Sequence, residues 1–299
     1  MSLLPNPSLT GVERPGWAPA GLMSRLVLVV ALALLGACSS TTFLYNRLDM
    51  IIPWYVGSYV DLEREQKEYL DTLLEPFLVW HRREELPRYI LVIDDLETRL
   101  DREVSADDVP AISAQFEAAW FRLEGRGIDW MLQLGESLSD EQMAEFRESL
   151  RDKQQDYEEK YLGRTDEKFR EESYDSLRDN LQDYLGRLTG DQRERLRQAS
   201  EALLRSDGVW LEEREVWLDR LDVTLQRAPG WQQAIRDDLV RRDETVSTRY
   251  REVYSHNLET IHLALADVLN SRSDRQDSRL RSKLGNLRED LQNLIGRDS

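Results

Sequence analysis

Leu138-Ser139-Asp140-Glu141-Gln142 and, 50 positions on, Leu188-Thr189-Gly190-Asp191-Gln192 are the stretches that decide the fold. In each, the Ser or Thr hydroxyl can accept from the backbone amide three residues later. The Gln at that third position can reach back to the amide of the cap residue. The Leu in front serves as a hydrophobic staple. Asp140, Glu141 and Asp191 place negative charge in the first turn, where the helix dipole favours it. Ser139, Gln142, Thr189 and Gln192 thus form a helix-capping motif that occurs twice and marks two helix starts.

The same helical period runs through nearly everything after Thr42. Downstream of the first motif, Met143, Phe146, Leu150, Tyr157 and Tyr161 share a face; downstream of the second, Leu196, Ala199 and Leu203 do so. Upstream, Leu70, Leu73, Leu74, Phe77 and Leu78 make a stripe on a helix read as Ser58 to about Arg83, with Pro76 expected to kink it. Leu86, Tyr89, Ile93, Leu96 and Leu100 form a narrow seam with Pro87 near its start. Ile112, Phe116, Trp120 and Leu123 follow, with an interruption expected at Gly125 and Gly127. The pattern from Trp231 to Leu269 predicts one helix of about forty residues, about 60 Å long. Ser271 to Ser278 reads as a polar break before a last helix, Leu280 to Leu294. No stretch alternates as a strand does. The fold class expected is all-α: an elongated multi-helix bundle of long amphipathic helices, preceded by a signal peptide.

The other end of the chain speaks to location. Arg25 precedes an apolar run, Leu26 to Leu35, then Gly36, Ala37 and Cys38, the only cysteine. A charged start, a short apolar core and small residues before a cleavage point describe a secretory signal peptide. The run falls short of the about 20 residues that span a bilayer. Leu35-Gly36-Ala37-Cys38 resembles a bacterial lipobox, which implies acylation of Cys38 and cleavage before it. Two or more acyl chains hold a protein firmly on a membrane, at about 0.8 kcal/mol per buried CH₂. Ser39 rather than Asp implies, by the usual lipoprotein sorting rule, the outer membrane with the body on the periplasmic side. The organisation expected is 1–22, an extension with several prolines that is either a mis-assigned start or a disordered n-region; 23–37, the signal peptide; 38–57, a lipid-anchored juxtamembrane segment; and 58–299, a helical periplasmic domain. Within 38–57, Phe43 to Val56 is apolar and aromatic. It either lies at the headgroup layer, which Trp and Tyr favour, or packs on the body.

Composition narrows the chemistry. The net charge of −17 disfavours nucleic acid and peripheral binding to anionic headgroups. With Cys38 given to lipid, no thiol is left for a disulfide. The three histidines, His81, His256 and His262, do not share a helix face at ligand spacing. No phosphate loop, nucleophile elbow or zinc-protease motif occurs. Glu84-Glu85 and Asp94-Asp95 read as solvated faces in so acidic a chain. No catalytic residue, metal site or cofactor is expected, and the protein is read as a non-enzyme.

The capping pair is similar to the paired L-T-x-x-Q motif of the Spy/CpxP family of periplasmic helical stress proteins. That resemblance implies a curved helical cradle for unfolded clients or a sensor kinase, over residues 138–205. The chain departs from it in being lipidated, longer and more acidic. Over its length it resembles a group of uncharacterised proteobacterial outer-membrane lipoproteins, a domain of unknown function. These share the lipobox, Tyr45-Asn-Arg-Leu-Asp49 and Pro53-Trp-Tyr55.

The functional expectation is a lipid-anchored, periplasm-facing envelope protein that binds other proteins in a chaperone-like or envelope-stress role. Its partners would be the membrane, through the lipid, and envelope proteins or unfolded clients. Phe146, Tyr157, Tyr184, Trp210 and Trp217 are the expected linings of a partner-binding surface, since exposed apolar patches mark interaction sites. The alternatives are a scaffold or accessory subunit of one envelope complex and, third, a carboxylate-dependent hydrolase of the envelope.

Overall fold

A computed structural model of the chain describes residues 40–296. The lipobox residues Leu35, Gly36, Ala37 and Cys38 lie outside the described residues. The structure is all-α, with no strand among the described residues. The helices are α1 (Ser40–Tyr45), α2 (Leu48–Val56), α3 (Arg64–Trp80), α4 (Leu86–Leu100), α5 (Asp108–Ser137), α6 (Asp140–Tyr161), α7 (Asp166–Leu185), α8 (Gly190–Ala202), α9 (Asp207–Thr224), α10 (Trp231–Val240), α11 (Arg242–Thr245), α12 (Thr248–Asn270) and α13 (Asp274–Gly296).

Helix α3 passes through Pro76 and joins α4 without a break, through one π-helical turn, His81–Glu85. Pro87 supplies the reason. It has no N–H to give to Arg83, and its ring would crowd that carbonyl in a regular helix. The extra residue of a π turn widens the coil just upstream, and the Leu86 amide bonds the His81 carbonyl five residues back. The start of α3 is corrected from Ser58 to Arg64, because Glu63 and Gln66 form a capping box there.

Two other expectations are corrected. The interruption at Gly125 and Gly127 does not occur: α5 is continuous for 30 residues. Each glycine costs a helix about 1 kcal/mol, and α5 recovers more by burying Leu123, Ile128, Leu132 and Leu134. The long helix from Trp231 is in fact three. Val246 is extended, and Ser247 starts α12 by accepting from the Tyr250 amide at 3.1 Å. Local capping by Ser247 outweighs a hydrophobic period that would have carried the helix on.

One core runs from Tyr45 in α1 to Leu294 in α13, and Leu70, Leu86, Leu196, Leu284 and Leu294 are fully buried in it. Helix α13 packs on α4 and α7, α12 on α8 and α5, α3 on α5, and α6 on α9. A satellite cluster of Tyr157, Tyr161, Val209, Trp210, Leu211 and Tyr250 closes the far end of α6. Two asparagine clamps on α12, the buried Asn257 and the exposed Asn270, hold loops to the core. Asn257 exchanges bonds with the N–H and C=O of Leu204, both 2.8 Å, and Asn270 does the same for Val104 at 2.7 and 2.9 Å.

Candidate functional site

The capping motif is where the sequence and the tertiary structure meet most closely. Ser139 Oγ accepts from the Gln142 amide and Thr189 Oγ1 from the Gln192 amide, both at 3.2 Å. Each glutamine Oε1 accepts in return from its cap residue, at 3.0 and 2.9 Å. Two further boxes, Glu63–Gln66 and Ser273–Gln276, are built the same way. Sequence reasoning missed both. Ser273-x-x-Gln276 carried the signal inside the supposed polar break. At Glu63 the usual hydroxyl is replaced by a carboxylate.

The four boxes come together in two pairs. Gln66 and Gln142 exchange reciprocal amide bonds of 2.8 and 2.7 Å. Gln192 and Gln276 do likewise at 3.2 and 2.9 Å. The remaining donor on each amide goes to a carbonyl two residues before the partner's cap: Ser137, Asp61, Ser271 and Arg187. Every one of the four glutamine amides therefore has both donors and both acceptor positions filled, the full capacity of the group. The motif ties helix starts together: α3 with α6, and α8 with α13. Its role is architectural, and no donor is left over for a ligand.

The expected partner surface is corrected. Trp210, Trp217 and Tyr157 are buried, Trp210 and Tyr157 in the satellite cluster and Trp217 in the main core. Phe146 and Tyr184 are half-buried against the main core. These five residues do not form one open face, because an apolar stripe on a helix in a many-helix array is covered by the next helix.

Phe146 does line an apolar cavity of about 90 Å³, together with Val56 and Val60, Met131 and Gly135 of α5, Leu221 of α9 and Trp231 of α10. Trp231 seats over it, and a Cβ at Gly135 would meet its ring at 3.1 Å. Trp130 lines the same space, and its buried indole N–H has no acceptor among the described residues. The volume is well below the roughly 300 Å³ at which ligand pockets begin, so this is a packing void under α10. The strand of chain leading into α10 is strapped down by Arg227, a non-glycine residue at φ +58°. Arg227 donates to the carbonyl of Leu138 at 2.6 Å and pairs with Asp140.

The titratable groups are also tied into structure. His81, in the π turn, is buried between Tyr45 (Oη to Nδ1, 2.9 Å) and Tyr89 (Oη to Nε2, 3.3 Å). Burial, then the neighbouring Arg82, pushes its pKa down to about 3, so the ring is neutral at neutral pH. Burial and the Glu85 charge push the Tyr89 phenol up. Glu85 is fully buried and takes a bidentate bond from Arg122, 2.8 and 2.9 Å, and another from Arg88. Arg102 and Ser105 hold the Asp108 carboxyl well below the usual carboxylate range. Asp207, fully buried, is shared by Arg164 and Arg205. His262 bonds Ser113 and His256 bonds the Ala202 carbonyl. Among the described residues no group of three or more His, Cys, Asp or Glu is placed to hold a metal ion.

The apolar side chains most open to solvent among the described residues are scattered: Met50 and Trp54 on α2, Leu91 on α4, Val216 and Val223 on α9, and Val240 on α10. No helix among the described residues is long and apolar enough to cross a membrane.

A family model matches residues 58–251, more than half of the chain. The chain belongs to this family of unknown function, DUF6279. The match opens at the approach to the Glu63 cap and ends inside α12. It includes three of the four paired glutamines of this DUF6279 chain and stops short of Gln276. Neither a curated protein nor a solved structure matches the chain.

Proposed function

We propose that this DUF6279 chain is a lipid-anchored protein of the bacterial cell envelope, held on the periplasmic side of the outer membrane, and that it works by binding other proteins. The observation that carries the reading is the adjacency of the lipobox to the body: Cys38 precedes the first turn of α1 by two residues. A lipidated Cys38 would hold the whole helical array at the bilayer. The resemblance to proteobacterial lipoproteins and, for the capping motif, to the Spy/CpxP proteins supports the same compartment.

Of the two kinds of protein binding, a scaffold or accessory subunit for one folded partner is favoured over a chaperone for many clients. The burial of Tyr157, Trp210 and Trp217 supports this. A client cradle needs open aromatic surface, and these rings are committed to cores. The test is in-cell crosslinking of wild type and Cys38→Ser with mass spectrometry. One dominant partner, lost with the anchor, is the expected result. A smear of clients retained by the Cys38→Ser protein would return the chaperone reading, and recovery of wild type unacylated in the soluble fraction would remove the anchor.

A further inference from the structure

Helix α2 has two dissimilar faces. Leu48, Ile52 and Val56 are buried against the body, where α2 packs on α3. The opposite side carries Met50 and Trp54, one turn apart and 59% and 75% exposed, with half-buried Ile51 and Pro53 on either flank. Trp54 is the most exposed tryptophan among the described residues, whereas Trp130, Trp210 and Trp217 are buried. Exposed Trp beside exposed Met on one short helix is costly in water, and Trp is a residue enriched at the headgroup layer.

From these faces we infer that the Met50–Trp54 side of α2 seats in the zwitterionic headgroup layer of the membrane. The inference rests on the anchor proposed at Cys38. Its further content is that the body is held in one orientation on the bilayer and does not swing from a tether.

Chain length keeps this face within reach of the bilayer. Cys38 to Ser40 spans at most about 7 Å. Ser40 to Trp54 runs through α1 and α2, about 21 Å at helical rise. Trp54 therefore stays within about 30 Å of the lipidated residue however the body turns. Charge selects the lipid. Asp49 is exposed on the edge of this face and the chain carries −17, so an anionic surface is repelled. Arg47, exposed one turn ahead and lying 3.8 Å from the Met50 sulfur, suits the phosphate of a zwitterionic headgroup.

Trp54→Cys in the full chain, acylated at Cys38, leaves one free thiol for a nitroxide label. The protein is reconstituted in phosphatidylcholine–phosphatidylethanolamine vesicles and the label's access to a water-soluble nickel complex is measured. Leu91→Cys on α4, also well exposed at 65%, is the control. The expected result is a severalfold loss of nickel access at position 54 relative to the soluble Cys38→Ser, Trp54→Cys chain, with none at position 91. Equal access at 54 and 91 in protein that floats with the vesicles overturns the seating and leaves the anchor standing. Protection at 54 already present in the soluble chain assigns the face to a second copy and also overturns it. Failure of the wild type to float with vesicles, with an unmodified Cys38 mass, removes the anchor and the seating together. Circular dichroism of both labelled chains establishes that they are folded.

Discussion

His81 is neutral only because it is buried, and that makes it an acid sensor of stability. Its folded pKa, about 3, lies below the ordinary histidine value of about 6.5. Between those values the unfolded chain binds a proton that the folded chain refuses, so stability falls as pH drops through that window and is fully present above it. One group contributes about 1.4 kcal/mol per pH unit. Urea titrations from pH 7 to 4.5 should show this slope, with a smaller share from His262, whose pKa burial also lowers. His81→Gln should lower stability at pH 7 and flatten the slope. A slope unchanged in that variant would mean that His81 is not the sensor. Arg227 poses a second residue-scale question. Its left-handed backbone costs about 1 kcal/mol, offset by the bonds to the Leu138 carbonyl and Asp140. Thermal melts should rank Arg227→Ala below Arg227→Gly, because glycine loses the same guanidinium but relieves the backbone.

At the scale of elements, the glutamine pairs are the joints. Removing Gln192 deprives the buried Gln276 amide of one donor and one acceptor partner and the Thr189 amide of its acceptor, at about 2–3 kcal/mol. Gln142→Ala should cost less, because the Gln66–Gln142 pair is half-buried and water can replace it. Chemical denaturation of the two variants tests the order, and a Gln192/Gln276 double-mutant cycle should give a coupling near 1 kcal/mol or above. A coupling near zero would reduce the pairs to four independent caps. Half of this was legible in sequence: Ser139, Gln142, Thr189 and Gln192 announce their caps because a cap is a contact three residues long. That Gln142 reaches Gln66, 76 residues away, has no local signature. The π turn was equally silent, since Pro87 predicts trouble but not how the helix absorbs it.

For the whole molecule, the family match at 58–251 leaves out part of the packed body. Beyond residue 251 lie Asn257 and Asn270, which hold the loops at Leu204 and Val104, and all of α13, which covers α4 and α7. A 58–251 fragment should keep helical far-UV signal and lose near-UV signal and a cooperative urea transition, as expected when helices persist without fixed packing. The chain carried on to residue 296 should regain both. A cooperative transition in the short fragment would show that α12 and α13 are an accessory layer. Leu284→Ala, in the fully buried face of α13, should cost the whole molecule about 2–5 kcal/mol in the same assay.

Local sequence determined that this protein is helical, where its helices at Gln142 and Gln192 begin, and that a lipobox-like cysteine precedes the body. Each of these is written in contacts between residues a few positions apart, or in a single short segment. Tertiary structure alone decided that Trp210 and Trp217 are core, that α5 runs through its glycines, and that four capping glutamines meet as two pairs. It also decided that α2 hides Ile52 while leaving Trp54 in the open. A helical stripe records only that some face is apolar. Whether another helix covers it depends on contacts between residues far apart in sequence, which periodicity does not encode.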